Sequence, residues 1–259
     1  MNITGYLASV LIGISLGLIG GGGSILTMPV LVYLFRLDVA AATVYSLFVV
    51  GSASTAGSLS YFRKGLVSLR TALLFGIPSI TGVYLTRRYL VPAIPQQIFS
   101  IGQFTITRSM LLMVLFAVLM ILAARSMIRK QQQAKENANV LLMIVQGTFI
   151  GMLTGLVGAG GGFLIIPALV NLLGMPMKKA VGTSLVVIAI NSLAGFLFSA
   201  EGLVIQWKLL LSITVIAVAG ILIGSWLAGR INGSKLKPGF GWFILVMGVY
   251  IILRETVFK

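Results

Sequence analysis

Gly17-Leu18-Ile19-Gly20-Gly21-Gly22-Gly23, followed by Pro29, and Gly155-Leu156-Val157-Gly158-Ala159-Gly160-Gly161-Gly162, followed by Pro167, are two versions of one motif set in strongly apolar sequence. Aligned at a constant offset of 138 residues, 13–34 and 151–172 share eleven of 22 positions, too many for two unrelated apolar helices. The correspondence continues through Ser46 and Ser184, Gly57 and Gly195, Gly82 and Gly220, and, after a one-residue slip, Gly65 and Gly202. The chain is therefore read as a duplication, with a first transmembrane repeat over 1–125, a polar basic connector over 126–139 and a second transmembrane repeat over 140–259. A hydrophobic span interrupted at the same place in both halves is a sequence pointer to a transporter's binding site.

Composition sets the solvent. The 259 residues are 58% hydrophobic and 9% charged, with a mean hydropathy of +1.09. A water-soluble globule of this size cannot bury so much apolar surface. Stretches long enough to cross, or nearly cross, about 30 Å of hydrocarbon lie near 5–35, 39–60, 69–90, 109–125, 140–157, 180–198, 207–229 and 240–254. The expected fold is an all-α polytopic membrane protein of about eight transmembrane spans, two four-span repeats with glycine-broken or re-entrant helices. Met1-Asn2-Ile3-Thr4 carries no basic residue and no cleavage pattern follows, so the first span is expected to be retained.

Four spans per half imply parallel repeats, unless the glycine segments are full re-entrant hairpins. With eight spans, the amino terminus, the loops 61–68, 126–139 and 199–206, and the carboxyl terminus share one face. That face receives ten basic residues against nine, so charge hardly orients the chain. The connector, with Arg125, Arg129, Lys130 and Lys135, is placed in the cytoplasm. The net charge of +15 sits in short loops between spans, which fits a membrane protein and not a nucleic-acid partner. Trp207, Trp226 and Trp242 are expected as interface anchors.

A helix broken in mid-membrane leaves up to four N–H groups without helical acceptors, at an end that carries partial positive charge. Hydrocarbon supplies no partner, so an anion there is stabilised. Glycine clears the space for close backbone approach. The candidate binding residues are Gly20, Gly21, Gly22, Gly23, Gly158, Ala159, Gly160, Gly161 and Gly162. Ser46, Thr183, Ser184 and Asn191 join them as polar groups inside neighbouring spans, Ser184 and Asn191 lying seven apart on one helical face. Gly13, Gly17, Gly151 and Gly155 have instead the spacing of close helix packing. Arg36, Lys178, Lys179 and Arg108 are open to two readings, as anion-gathering charges at a vestibule or as snorkelling anchors.

The absences narrow the chemistry. The chain has no cysteine and no histidine, which removes thiol chemistry and the commonest metal ligand and proton relay. No metal or cofactor is expected. All four acids, Asp38, Glu136, Glu201 and Glu255, fall at span ends or in loops. A cation carrier would normally hold its substrate with a buried carboxylate, so an oxyanion fits what remains. An enzyme is disfavoured, although Ser184 with Lys179 leaves a Ser-Lys arrangement uncounted out.

These motifs, together with Ala180-Val181-Gly182-Thr183-Ser184-Leu185, closely resemble the sulfite exporter TauE/SafE family of membrane permeases over nearly the whole chain. The resemblance implies a permease of the bacterial cytoplasmic (inner) membrane. It would move small sulfur oxyanions or organosulfonates such as sulfite or sulfoacetate, often outward and by alternating access. Its site would include the two glycine clusters, Thr183 and Ser184, with Ser46 as the clean counterpart in the first repeat. An anion channel, or an uptake permease for another small inorganic or organic anion, is the alternative. Coupling stays open between a proton, carried with the substrate or through Glu201, and a sodium ion held by backbone carbonyls. The expected partners are the substrate and the lipid bilayer, without nucleic acid, in an undetermined oligomeric state.

Overall fold

The computed structural model describes residues 3–101, 104–128, 140–157, 161–200, 203–231 and 233–256. Its helices are α1 (Ile3–Ile19), α2 (Gly22–Pro29), α3 (Val39–Arg63), α4 (Leu69–Leu85), α5 (Val91–Ala93), α6 (Arg108–Ile128), α7 (Val140–Val157), α8 (Gly162–Pro167), α9 (Met177–Ser199), α10 (Trp207–Arg230) and α11 (Gly233–Thr256). A small antiparallel ribbon, β1 (Gln97–Ile101) with β2 (Phe104–Thr107), precedes α6. Six helical stretches are long and apolar enough to cross a membrane: Val39–Arg63, Leu69–Ala93, Arg108–Ile128, Val140–Val157, Met177–Ser199 and Trp207–Arg230. Shorter apolar helices cover Thr4–Ile19, Gly23–Leu34, Gly162–Asn171 and Pro238–Arg254.

The stretch expected as one interrupted span over 5–35 is a hairpin. After Gly20, which takes φ +76°, the chain reverses and α2 runs back along α1. A methyl on Gly23 would lie 2.5 Å from Leu16 Cβ, and the Tyr6 ring meets Phe35 edge-on at 5.7 Å. Proline ends both short helices and donates no N–H, and the helical register then widens to π turns at Val30–Leu34 and Ala168–Leu172. Both turns close alike: Leu37 N–H donates to Leu31 O at 3.1 Å, and Met175 N–H to Leu169 O at 3.0 Å. Asp38 then caps α3, accepting from Ala40 N–H at 3.0 Å.

This reversal changes the sidedness. Tyr6, near the start of α1, lies by Ser212 at the start of α10, whereas Tyr61 at the end of α3 donates to Gly17 O at the far end of α1. The loop after α3 therefore lies on the face opposite the start of α1, contrary to the shared face expected for 61–68 and the amino terminus. The two faces are called here the amino-terminal face, with the start of α1, and the connector face, with the end of α6 and the start of α7. The loop 199–206 stays on the amino-terminal face, since Gln206 N–H donates to Tyr45 Oη near the start of α3 at 2.6 Å.

Small residues set the helix packing. Gly13 and Gly17 lie against Gly220 and Gly224, with α1 parallel to α10, while Gly151 and Gly155 lie against Ser79 and Thr86, with α4 parallel to α7. α3 and α9 cross antiparallel at the centre, Gly51 on Leu193 and Gly57 on Leu185, and α6 pairs antiparallel with α11 through Gly241 and Gly248. In lipid, such close backbone approach replaces the hydrophobic effect as the attraction between helices. α1 and its sequence counterpart α7 thus run in opposite directions, and the expected parallel relation between halves is not found. Side chains such as Leu11, Phe149, Leu197 and Val215 face outward, and Trp207, Trp226 and Trp242 are exposed.

Candidate functional site

The two glycine turns meet. A methyl on Gly21 would lie 2.6 Å from the Gly162 carbonyl carbon, and one on Gly162 would lie 2.8 Å from Gly21 Cα. Gly21 caps α2 and Gly161 caps α8 without any side-chain hydrogen bond, so the first-turn N–H groups of both short helices are directed to the same region. Gly161 takes φ +69° against the Thr154 side chain, and Gly20 sits where a methyl would be 2.9 Å from Ser184 Oγ. α9 lines both turns, with Val181 and Ser184 beside Gly20 and Ile188 beside Gly162. Hydroxyls occupy carbonyls of the first turn: Ser24 donates to Gly21 O at 2.7 Å and Thr27 to Gly23 O at 2.6 Å.

The other sequence candidates divide. Ser184 lies at the turns, its hydroxyl donating to Val181 O at 2.8 Å. Ser46, its counterpart on α3, is fully buried and its Oγ has no hydrogen-bond partner among the described residues. Asn191 lies further along α9, its amide donating to Ser79 Oγ at 2.6 Å while Oδ1 has no such partner. Thr183 points elsewhere, accepting from Ser68 N–H at 3.0 Å and so fixing the connection between α3 and α4. Gly158, Ala159 and Gly160 lie outside the described residues, as do Glu136 and Glu201. Sequence reasoning missed Ser192 on α9, whose buried Oγ is unpartnered like those of Ser46 and Ser54. A lone hydroxyl in an apolar helix gives no sign of which face it occupies.

Cavities flank this centre on both faces. On the amino-terminal face, a cavity of about 590 Å³ is lined by residues including Asp38, Thr43, Arg87, Gln97, Arg108 and Ser199. On the connector face, one of about 200 Å³ is lined by Tyr61, Lys64, Lys178 and Ser225 among others. Two lysines bridge the wall of the smaller one: Lys64 Nζ donates to Ser225 O at 2.9 Å and Lys178 Nζ to Gly229 O at 3.4 Å. On the larger one, Arg108 is committed to Val91 O and Ile94 O at 3.4 and 3.3 Å. The described residues contain no cluster of three His, Cys, Asp or Glu suited to a metal ion.

Residues 6–251 match the family described as sulfite exporter TauE/SafE. A probable membrane transporter protein of Xylella fastidiosa (strain 9a5c) is 31% identical over 257 residues, covering 95% of this chain and 92% of its own. The probable membrane transporter protein YdhB of Bacillus subtilis (strain 168) is 27% identical over 251 residues, covering 95% and 98%. A probable membrane transporter protein of Haemophilus influenzae is 28% identical over 273 residues, covering 96% and 97%. No solved structure matches the chain.

Proposed function

We propose, from the premise that this chain belongs to the sulfite exporter TauE/SafE family, that it carries sulfite or a small organosulfonate across the bacterial cytoplasmic membrane by alternating access. The chain is a membrane transporter, of a family linked to small and often sulfur-containing anions. The observation that carries the substrate class is the meeting of two glycine turns, each opening a short helix, in a region where no described carboxylate lies. Helix N-termini favour negative charge, and a sulfonate or sulfite presents oxygens to several N–H groups at once. Ser46 and Asn191, with buried polar atoms in want of partners, are the side chains assigned to complete the shell.

The carrier mechanism draws support from how the halves pack. Contacts recur at the 138-residue offset: Gly13 on Gly220 matches Gly151 on Gly82, and Gly57 on Ile221 and Leu185 matches Gly195 on Val83 and Leu47. This reading takes 1–125 and 140–259 as inverted repeats whose rocking opens first one face and then the other. The unequal cavities then correspond to a state open at the amino-terminal face. Of the 15 described Lys and Arg, nine, all but Arg36, Arg87, Arg88, Arg108, Lys208 and Arg254, belong to segments flanking helix ends on the connector face. That bias supports reading the connector face as cytoplasmic. Transport is outward and linked to the proton-motive force in this reading.

Labelled sulfite flux in vesicles containing the purified chain tests it. A carrier gives saturable flux accelerated by unlabelled sulfite on the opposite side, and an imposed pH gradient drives accumulation. Unsaturable flux without that acceleration would identify a channel.

A further inference from the structure

We propose that Arg87 and Ser199 form an oxyanion-binding subsite at the mouth on the amino-terminal face, separate from the glycine turns. Arg87 lies in the π-helical turn Thr86–Leu90 that extends α4, and Ser199 is the last residue of α9. Both line the cavity of about 590 Å³. The Nε and Nη2 atoms of Arg87 and the Oγ of Ser199 are sealed from solvent, and none has a hydrogen-bond partner among the described residues. Guanidinium N–H groups left unpaired and out of water are costly, and they are retained where a ligand supplies the missing acceptor.

The neighbouring charges do not fill that role. Asp38 is the one carboxylate among the described lining residues, and its Oδ2 is held by Ala40 N–H at the start of α3. Arg108 donates to two backbone carbonyls and braces the wall. The cavity on the opposite face lacks this pair of residues. Position 87 corresponds there to Ser225 and position 199 to Tyr61, and the groups present are already paired, Lys64 with Ser225 O and Tyr61 with Gly17 O.

The chemistry of the ligand follows from the donors. A planar guanidinium presents parallel N–H groups that match two oxygens of one anion, and the Ser199 hydroxyl on the same cavity is assigned the third. Sulfite and alkylsulfonates have that shape, whereas a halide accepts from one point. The subsite concerns binding at the mouth and does not depend on the direction or mechanism of transport. It would select oxyanions before they reach the centre.

The test uses the full chain purified in maltoside micelles, with thermal unfolding and calorimetric titration against sodium sulfite, sodium methanesulfonate and sodium chloride at constant ionic strength. Sulfite or methanesulfonate should stabilise the protein saturably and chloride should not. Arg87→Met should remove the binding event assigned to the mouth, leaving at most the one at the glycine turns, without lowering the midpoint measured in the absence of anion, because it removes unpaired N–H groups held out of water. Arg87→Lys, which keeps the charge and loses the fork, should weaken binding at least ~10-fold, and Ser199→Ala several-fold. Wild-type stoichiometry and affinity in Arg87→Met would overturn the proposal. So would a large drop in its anion-free midpoint, the signature of a structural pairing, with Glu201 or any other carboxylate. A lipid phosphate offers the same chemistry, so phosphatidylglycerol is titrated separately; a shift with that lipid and none with the soluble anions would also overturn it. Parallel sulfite flux keeps the two readings apart, since loss of one anion-binding event in Arg87→Met while the wild type moves no sulfite would sustain the subsite and defeat the transport reading.

Discussion

Arg36 holds a left-handed backbone at φ 55°, and the residue 138 positions later, Gly174, holds φ 69° without a β-carbon to strain. A side chain in that conformation costs about 1–2 kcal/mol. Arg36→Gly should therefore raise stability by about 1 kcal/mol in thermal or denaturant unfolding, and an unchanged or lowered midpoint would show that the arginine makes contacts worth the strain. Gly65 and Gly161 share a positive φ but differ in surroundings, for a methyl on Gly65 meets nothing within 4 Å while one on Gly161 collides with the Thr154 side chain. Gly65→Ala should cost about 1 kcal/mol and leave flux intact; Gly161→Ala should reduce sulfite flux by at least ~10-fold in protein that still reaches the membrane. Equal flux in the two variants would remove Gly161 from the site. The consecutive glycines announced themselves in the sequence because helix packing never needs four in a row. Arg87 did not, because it adjoins Arg88 at the end of an apolar stretch, and the turn of the helix that half-buries one and exposes the other is set by the π turn, which leaves no compositional trace.

Helix pairs divide the glycines into two jobs. Gly151 lies directly under the backbone carbonyl of Ser79, where no rotamer change relieves a collision. Gly151→Val should separate α7 from α4 and lose folded protein, by about 1–3 kcal/mol or more in unfolding measurements, before any specific effect on transport is seen. A well-folded Gly151→Val with normal flux would contradict the parallel packing of those helices. This packing role was legible from the fourth-residue spacing of Gly13, Gly17, Gly151 and Gly155. The hairpin of α1 and α2 was not. Hydropathy has no direction, so an apolar helix, a glycine turn and a second apolar helix read alike whether the chain continues or doubles back. Thr183 misled for a related reason, since its place in a family-like motif beside Ser184 says nothing of Ser68 N–H, which only the loop from α3 brings to it.

The molecule as a whole was legible as an all-α polytopic membrane protein, but its sidedness in the bilayer depended on that one hairpin. With a reversal in each half, the end of α3 and the end of α9 lie on opposite faces. The chain has no cysteine, so single replacements report cleanly. Arg63→Cys and Val204→Cys, the latter at a position 95% exposed, should react with a membrane-impermeant maleimide from opposite sides of oriented vesicles. Labelling from the same side would restore the parallel eight-span arrangement and remove the structural basis for rocking halves. All four acids fall at span ends or in loops of the sequence, and the substrate class rests on that distribution more than on any single contact. Counterflow by the purified chain in sealed vesicles, run with sulfite, methanesulfonate and a set of organic cations, measures the class directly. Saturable exchange of sulfite or methanesulfonate with no acceleration of the cations is the result expected from two helix N-termini meeting at the centre; exchange confined to the cations would contradict it.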